Sequence, residues 1–279
     1  MLLKFWGVHG SLPRPGPTTI KFGGNTACVE VRLGRTLIIF DAGSGIRELG
    51  EDLLRRNEGS KRNAHIVGHI FFSHVHWDHV QGFPFFAPAF MPGNEFHLYG
   101  GTGLNTTIHR IMTDQMSQPN FPVTLGDMGA SLTFHDLDPG DIVTIDDAVV
   151  RTEKLDHPGG SLGYRVEWDG KIFVYASDTE LSEDIEPSMV RLLLNADLVI
   201  IDGMYTQAQY VGSKDGVSRR CWGHSTWERA VQTAKAAKVK RVILFHHGND
   251  DKTVEDIERR AQEKFKDTMA AYEGLEIEI

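Results

Sequence analysis

The chain has 279 residues, 41% of them hydrophobic, which is enough to bury a substantial core. Its formal charge is −9 and no Lys/Arg run exceeds a few residues, so the broad basic footprint of a polynucleotide binder is missing. The two cysteines, Cys28 and Cys221, lie far apart and in no CxxC arrangement, which excludes a disulfide framework or a zinc ribbon.

In chain order, LLKFWGV, ACVEVRL and TLIIFDAG read as strands, rich in β-branched and aromatic residues and punctuated by Gly, Pro and Asn. GIRELGEDLLRRN follows with helical periodicity, Ile46, Leu49, Leu53 and Leu54 sharing one face. HIVGHIFFS reads as a buried strand, and the Phe- and Pro-rich stretch 81–94 as a loop. In that loop Phe83, Phe85, Phe86, Phe90 and Met91 either wall a pocket that stacks a base, or serve core packing or a dimer contact. A short strand FHLYG and a helix around His109 to Met116 come next. SLTFHDL, DIVTIDDAVVRTEKL, LGYRVEW and KIFVYAS are further strands, the last two joined by the hairpin signal WDGK. The remainder alternates helix and strand: PSMVRLLLNA, DLVIID, TWERAVQTAKAAK, RVILFHH and VEDIERRAQEKFKDT. Two strand-rich halves, each ending in helices, predict a pair of sheets covered by helices on the outside. No linker divides the chain, so residues 1–279 are expected to form a single domain. Nothing at the start reads as a signal peptide and no apolar run approaches membrane-spanning length, so a cytoplasmic protein without membrane contact is expected.

The densest chemical signal is FFSHVHWDH, residues 71–79. His74 and His76 alternate about Val75, which projects them to one side of an extended strand end, and Asp78 and His79 follow at the turn. Nitrogen and oxygen donors without cysteine suit zinc, manganese or iron rather than calcium, and the set is large enough to serve two ions. Four ligands do not complete two sites, so more are required downstream at strand ends. His157 in KLDHPGG, Asp178 in YASDTE and His246 or His247 in VILFHH occupy such places. His246 is preferred because it directly follows the strand VILF. Taken singly, His157 reads as a turn histidine and Asp178 as a helix N-cap. His65, His69, His97, His109 and His135 lack such a setting.

At these residues the chain resembles the metallo-β-lactamase superfamily, whose H-x-H-x-D-H signature is complete as His74, His76, Asp78 and His79. Asp41 in IIFDAGSG matches the family's early aspartate. The resemblance implies an α/β fold, a four-layer αββα sandwich of two mixed sheets with helices outside. It implies two divalent metal ions, with His74, His76 and His157 holding one, Asp78, His79 and His246 the other, and Asp178 bridging. Asp41 would orient a ligand histidine from behind. The β-lactamases of this fold usually carry cysteine at the place of Asp178, and a carboxylate there draws the metals toward oxygen-rich substrates such as phosphate esters.

The segment GHST before TWERAVQTAKAAK resembles the corresponding part of the ribonuclease Z and phosphodiesterase branch, where a histidine protonates the leaving oxygen with help from an acidic residue. His224 and Asp202 match those two places, so the catalytic set is Asp78, His224 and Asp202. Ser225 or Thr226 equally reads as the cap of the helix beginning at Trp227. A basic, glycine-rich arm for gripping transfer RNA is not found between His157 and His246. WGVHGSLPRPGP and FGGNTACVEV resemble bacterial proteins near the phosphodiesterases, in which these segments lie beside the metals.

The implied function is a dinuclear metal-dependent phosphodiesterase, with a metal-held hydroxide as nucleophile, acting on a small phosphodiester such as a cyclic nucleotide, long nucleic acid being disfavoured. The alternatives are a carboxyl-ester, thioester or lactone hydrolase on the same metal core, and a non-catalytic ligand-sensing module. Homodimerisation is suggested only by analogy of fold.

Overall fold

The computed structural model describes residues 1–58, 65–101 and 106–279. Two seven-stranded mixed sheets face each other. The first has the order β14-β1-β2-β3-β4-β5-β6, formed by Leu2–Gly7 (β1), Cys28–Leu33 (β2), Thr36–Phe40 (β3), Val67–Phe71 (β4), Glu95–Gly101 (β5), Ser131–Leu137 (β6) and Glu276–Glu278 (β14). The second has the order β13-β12-β11-β10-β9-β8-β7, formed by Ile142–Ile145 (β7), Ala148–Leu155 (β8), Ser161–Trp168 (β9), Lys171–Ala176 (β10), Leu198–Asp202 (β11), Val242–Phe245 (β12) and Thr268–Ala270 (β13).

Each sheet is antiparallel on one side and parallel on the other. β3 through β6 run parallel, as do β10 through β13. Parallel strands end at a common edge, and residues that leave those ends gather there, as in other α/β sheets. Between the sheets lies an apolar layer that includes Phe5, Phe40, Phe71, Tyr164, Phe173, Tyr175 and Phe245. Its aromatic rings pack closely, Phe71 on Tyr99 at 4.3 Å and Phe40 on Tyr175 at 5.0 Å. The helix Ile46–Glu58 (α1) and the helix Ile108–Gln115 (α3) cover the outer face of the first sheet. Pro187–Leu193 (α4), Trp227–Ala236 (α6) and Asp251–Lys264 (α7) cover the second. Two short helices, Trp77–Val80 (α2) and Gln207–Tyr210 (α5), belong to the site end. The four-layer arrangement expected from the sequence is the one observed.

Three details differ from the sequence reading. DIVTIDDAVVRTEKL is a hairpin rather than one strand, because Asp146 takes the left-handed conformation at φ 52° and turns β7 back onto β8. The last residues add β13 and β14, one to each sheet. In the 81–94 stretch, Phe83 and Phe86 are fully buried against α1 in the outer core, so packing explains these two rings and base stacking does not. Phe85 and Met91 are exposed, Phe85 lying edge-on to Phe121. The WDGK turn forms as expected, with Asp169 and Gly170 both at positive φ.

Candidate metal centre

Seven of the sequence-predicted side chains converge at strand ends, six of them past the parallel strands β4, β10 and β12 and His157 past the antiparallel β8. Ligand atoms of His74, His76 and His157 lie within 4.8 Å of one another, as do those of Asp78, His79, Asp178 and His246. Asp178 faces both groups, its Oδ1 lying 3.3 Å from His79 Nε2 and its Oδ2 3.1 Å from His246 Nε2 and 3.7 Å from His74 Nε2. Asp78 Oδ2 is 3.0 Å from His246 Nε2 and accepts from the Ser11 backbone N–H at 2.7 Å. His247 turns away, pairing through Nε2 with the Ala271 carbonyl, so the histidine that joins the group is His246.

The backbone is bent to bring these groups together. Asp41, Asp178 and His246 all sit at positive φ, at 60°, 43° and 60°, each just past the end of a strand. Such conformations are rare for residues with a Cβ and collect at functional sites. Gly10 lies so close to the His246 ring that an added Cβ would stand 2.3 Å from Nδ1, and Gly223, at φ 84°, would meet His157 Nδ1 at 2.2 Å. Glycine is required at both places by contact with a cluster histidine.

The hydrogen-bond partners assign the ring tautomers. His157 Nδ1 faces the Gly223 carbonyl at 2.8 Å and must donate to it. Ser73 Oγ gives its proton to Asp41 Oδ2 at 2.8 Å and therefore accepts from His74 Nδ1 at 3.0 Å. Each ring is left with a lone pair on Nε2, and both lone pairs point at His76 Nδ1, 3.0 Å away in each case. Burial pushes all three histidines below their ordinary range. One proton at most is available for three converging nitrogens, which is the arrangement a cation satisfies and hydrogen bonding does not.

The second group makes the same demand through charge. Burial works against the ionised form of Asp178, but the facing imidazoles of His246, His79 and His74 overturn it and hold the carboxyl well below the usual range. Burial likewise opposes a charge on His79, and Asp178, Asp78 and Asp41 outweigh it and pull the ring upward. Positive charge is called for between buried carboxylates, and a divalent ion would supply it. The donors are imidazole nitrogens and carboxylates, the set that suits zinc, manganese or iron.

Behind the cluster, Asp41 accepts from the Ser73 backbone N–H and hydroxyl, from His79 Nδ1 at 2.7 Å and from the Tyr175 hydroxyl at 2.7 Å. It thereby fixes His79 directly and His74 through Ser73. Ser73 and Tyr175 were missed in the sequence. Ser73 is flagged only by its place between the strand and the motif, and Tyr175 is an inward residue of β10 like any other.

At the rim, His224 Nδ1 lies 2.8 Å from Asp202 Oδ2, and its ring stacks on His246 at 4.8 Å. Asp202 ends β11, and its other oxygen accepts from the backbone of Met204 and of Ser225. Burial opposes a charge on His224, yet Asp202 outweighs it and the ring is raised to about 9. Thr226 caps α6 by accepting from the Arg229 N–H, while Ser225 Oγ donates to the Thr179 carbonyl, so the helix start that holds His224 is fixed from both sides. A cleft of about 440 Å³ opens over the cluster between Ser11, Trp77 and His224.

The family model described as "Beta-lactamase superfamily domain" matches residues 36–247. The ribonuclease Z of Picrophilus torridus is 23% identical over 319 aligned positions, which cover 99% of this chain and 95% of that protein. The metallo-beta-lactamase fold protein YhfI from Bacillus subtilis superposes with a TM-score of 0.71 at 16% identity, over 99% of this chain and 98% of that one. A diphosphatase of the PhnP family superposes with a TM-score of 0.70 at 19% identity, over 100% and 97%. The chain belongs to the beta-lactamase superfamily and is a metal-dependent hydrolase.

Proposed function

We propose that the protein is a dinuclear metal-dependent phosphodiesterase acting on small phosphodiesters, cyclic nucleotides among them. The observation that carries this reading is Asp178, a buried carboxylate facing both donor groups, with the His224–Asp202 pair at the rim of the same cleft. In this reading His74, His76 and His157 would hold one ion and Asp78, His79 and His246 the other, with Asp178 available to both groups. Divalent ions so held acidify water and screen the charge of a phosphate.

The chain's own groups do the rest. Asp41 keeps His79 in the tautomer that leaves Nε2 free, and through Ser73 it does the same for His74. Asp202 keeps the proton of His224 on Nδ1 and favours the charged ring, so Nε2 also carries a proton that can pass to a departing oxygen. The Ser11 N–H fixes the carboxylate of Asp78. His224 lining the cleft supports a reaction whose leaving group needs a proton, as an alkoxide leaving a phosphodiester does. The net charge of −9 favours a small diester over a long nucleic acid. No helix among the described residues is long and apolar enough to cross a membrane.

The test is a hydrolysis screen on metal-analysed protein, setting bis(p-nitrophenyl) phosphate and 3′,5′-cyclic nucleotides against thioesters and lactones, with His76→Ala as the blank. Phosphodiester turnover is expected, absent in the blank. In His224→Ala, turnover of the cyclic nucleotides, whose leaving group is an alkoxide, should fall by about 10²–10⁴-fold with unchanged metal content, and that of bis(p-nitrophenyl) phosphate, whose leaving group departs without a proton, should fall far less. Turnover confined to the carboxyl esters would overturn the phosphodiester assignment and the role given to His224.

A further inference from the structure

A second hollow, of about 550 Å³, adjoins the metal cleft and shares Ser11 and His224 with it. Its walls include Met204, Tyr205, Trp222 and Pro158. Trp222 is 51% exposed, a large apolar ring left open to solvent beside a reaction centre. Tyr205 stands edge-on to His224, with ring centroids 6.0 Å apart.

The loop that presents Trp222 is pinned. Glu180 accepts from the backbone N–H groups on either side of it, those of Cys221 and Gly223, at 2.8 Å each. Two groups in its lining carry positive charge: His224, at the boundary with the metal cleft, and Arg219, which is already engaged. Its guanidinium grips Asp215 at 2.6 and 3.1 Å and donates to the carbonyls of Gln209 and Val217. It lies 5.8 Å from the ring centroids of both Tyr205 and Trp222. The polar wall is committed in the same way, Gln209 donating to Asn249 and Asn249 to the Met204 carbonyl. The hollow thus offers aromatic faces and, beyond the His224 ring at its boundary with the metal cleft, no uncommitted positive charge. A second phosphate or a carboxylate finds only His224, which is engaged with the departing oxygen, to answer its charge, whereas a flat neutral ring finds a platform.

Resting on the phosphodiesterase reading, we propose that this hollow is the leaving-group subsite and receives the nucleoside side of the diester, its base lying on Trp222. In an in-line displacement the departing oxygen leaves on the side opposite the attacking water, and His224, which supplies its proton, lines this hollow. The bond from phosphorus to the nucleoside oxygen breaks, water's oxygen takes its place on phosphorus, and the proton from His224 completes the nucleoside hydroxyl. One of the water's two protons replaces the one given up by His224, and the other stays on the new phosphate monoester or passes to solvent.

Adenosine 5′-methylphosphate tests this, because either ester bond can break. Departure of the nucleoside gives adenosine and methyl phosphate, and departure of methanol gives AMP. The wild type should yield mainly adenosine. Trp222→Ala should shift the product ratio toward AMP by roughly tenfold, about the size of one base–aromatic stack, and Trp222→Phe should restore it. Because the ratio is internal to one reaction, a general loss of activity in the variant leaves it unmoved. A ratio unchanged in Trp222→Ala, or AMP as the main wild-type product, would overturn the subsite while leaving the phosphodiesterase reading intact. Failure of the wild type to cleave this diester and bis(p-nitrophenyl) phosphate would overturn both.

Discussion

Two groups of histidines, one within the first sheet and one where the strand ends of both sheets meet, differ in what they can do. At the strand ends, His74 and His76 join His157 with nitrogens 3.0 Å apart. Within the sheet, His69 of β4, His97 of β5 and His135 of β6 form a row, His69 and His97 stacked at 5.0 Å and His97 Nδ1 facing His135 Nε2 at 3.2 Å. The spacings are similar, but the protons are not. In the row, His97 Nε2 donates to Glu95 at 3.0 Å, which frees Nδ1 to accept from His135, so the facing nitrogens share one proton and one lone pair. In the strand-end cluster the remote nitrogens of His74 and His157 are tied to Ser73 and Gly223, so lone pairs meet with too few protons between them. Partners on the far side of the ring, and not the number of histidines, separate a cation site from a hydrogen-bonded relay.

The contrast breaks most sharply under substitution. Asp178→Ala should remove the carboxylate facing both groups and take bound metal and phosphodiester turnover to background, whereas the double variant His97→Ala/His135→Ala should keep the wild-type metal content; elemental analysis of the purified proteins decides. A smaller effect is expected from Gly10→Ala. Its methyl would stand 2.3 Å from His246 Nδ1 and push the ring off the second group, with metal affinity falling roughly 10–100-fold in a competition titration, as for other losses of ligand support. An unchanged affinity would mean the ring tolerates displacement.

The smallest effect belongs to the row. Burial, with His97 and His135 beside it, lowers His69 from 6.5 to about 4. Between those values the unfolded chain binds the proton and the folded chain does not, so this residue's contribution makes stability fall as pH drops from about 6.5 toward about 4. His69→Gln should flatten that decline, seen as a smaller difference in urea midpoint between pH 7 and pH 5. An equally steep decline in the variant would assign it to other groups.

The contrast also shows what the sequence could carry. FFSHVHWDH was legible because four donors at the end of an apolar strand leave few other readings, and His157, Asp178 and His246 followed because each comes after a strand. The two sheets and their outer helices were legible from periodicity. The tautomers were not, since they depend on Ser73, Tyr175 and the Gly223 carbonyl, which approach from distant parts of the chain. The close contacts of Gly10 and Gly223 with ring nitrogens are likewise invisible until the loops are placed. The Phe-rich stretch misled in part because a buried ring and a stacking ring look alike in sequence, and burial of Phe83 and Phe86 depends on α1 lying over them. The exposure of Trp222 beside the reaction centre was not legible either, because its loop is held by Glu180 from a distant part of the chain.

The most direct measurement is the metal stoichiometry of the purified protein, followed by bis(p-nitrophenyl) phosphate hydrolysis before and after chelation. Two divalent ions per chain, with turnover lost on their removal and regained on their return, is the expected result. Full turnover by metal-free protein, or a chain that retains no ion in metal-supplemented buffer, would contradict it.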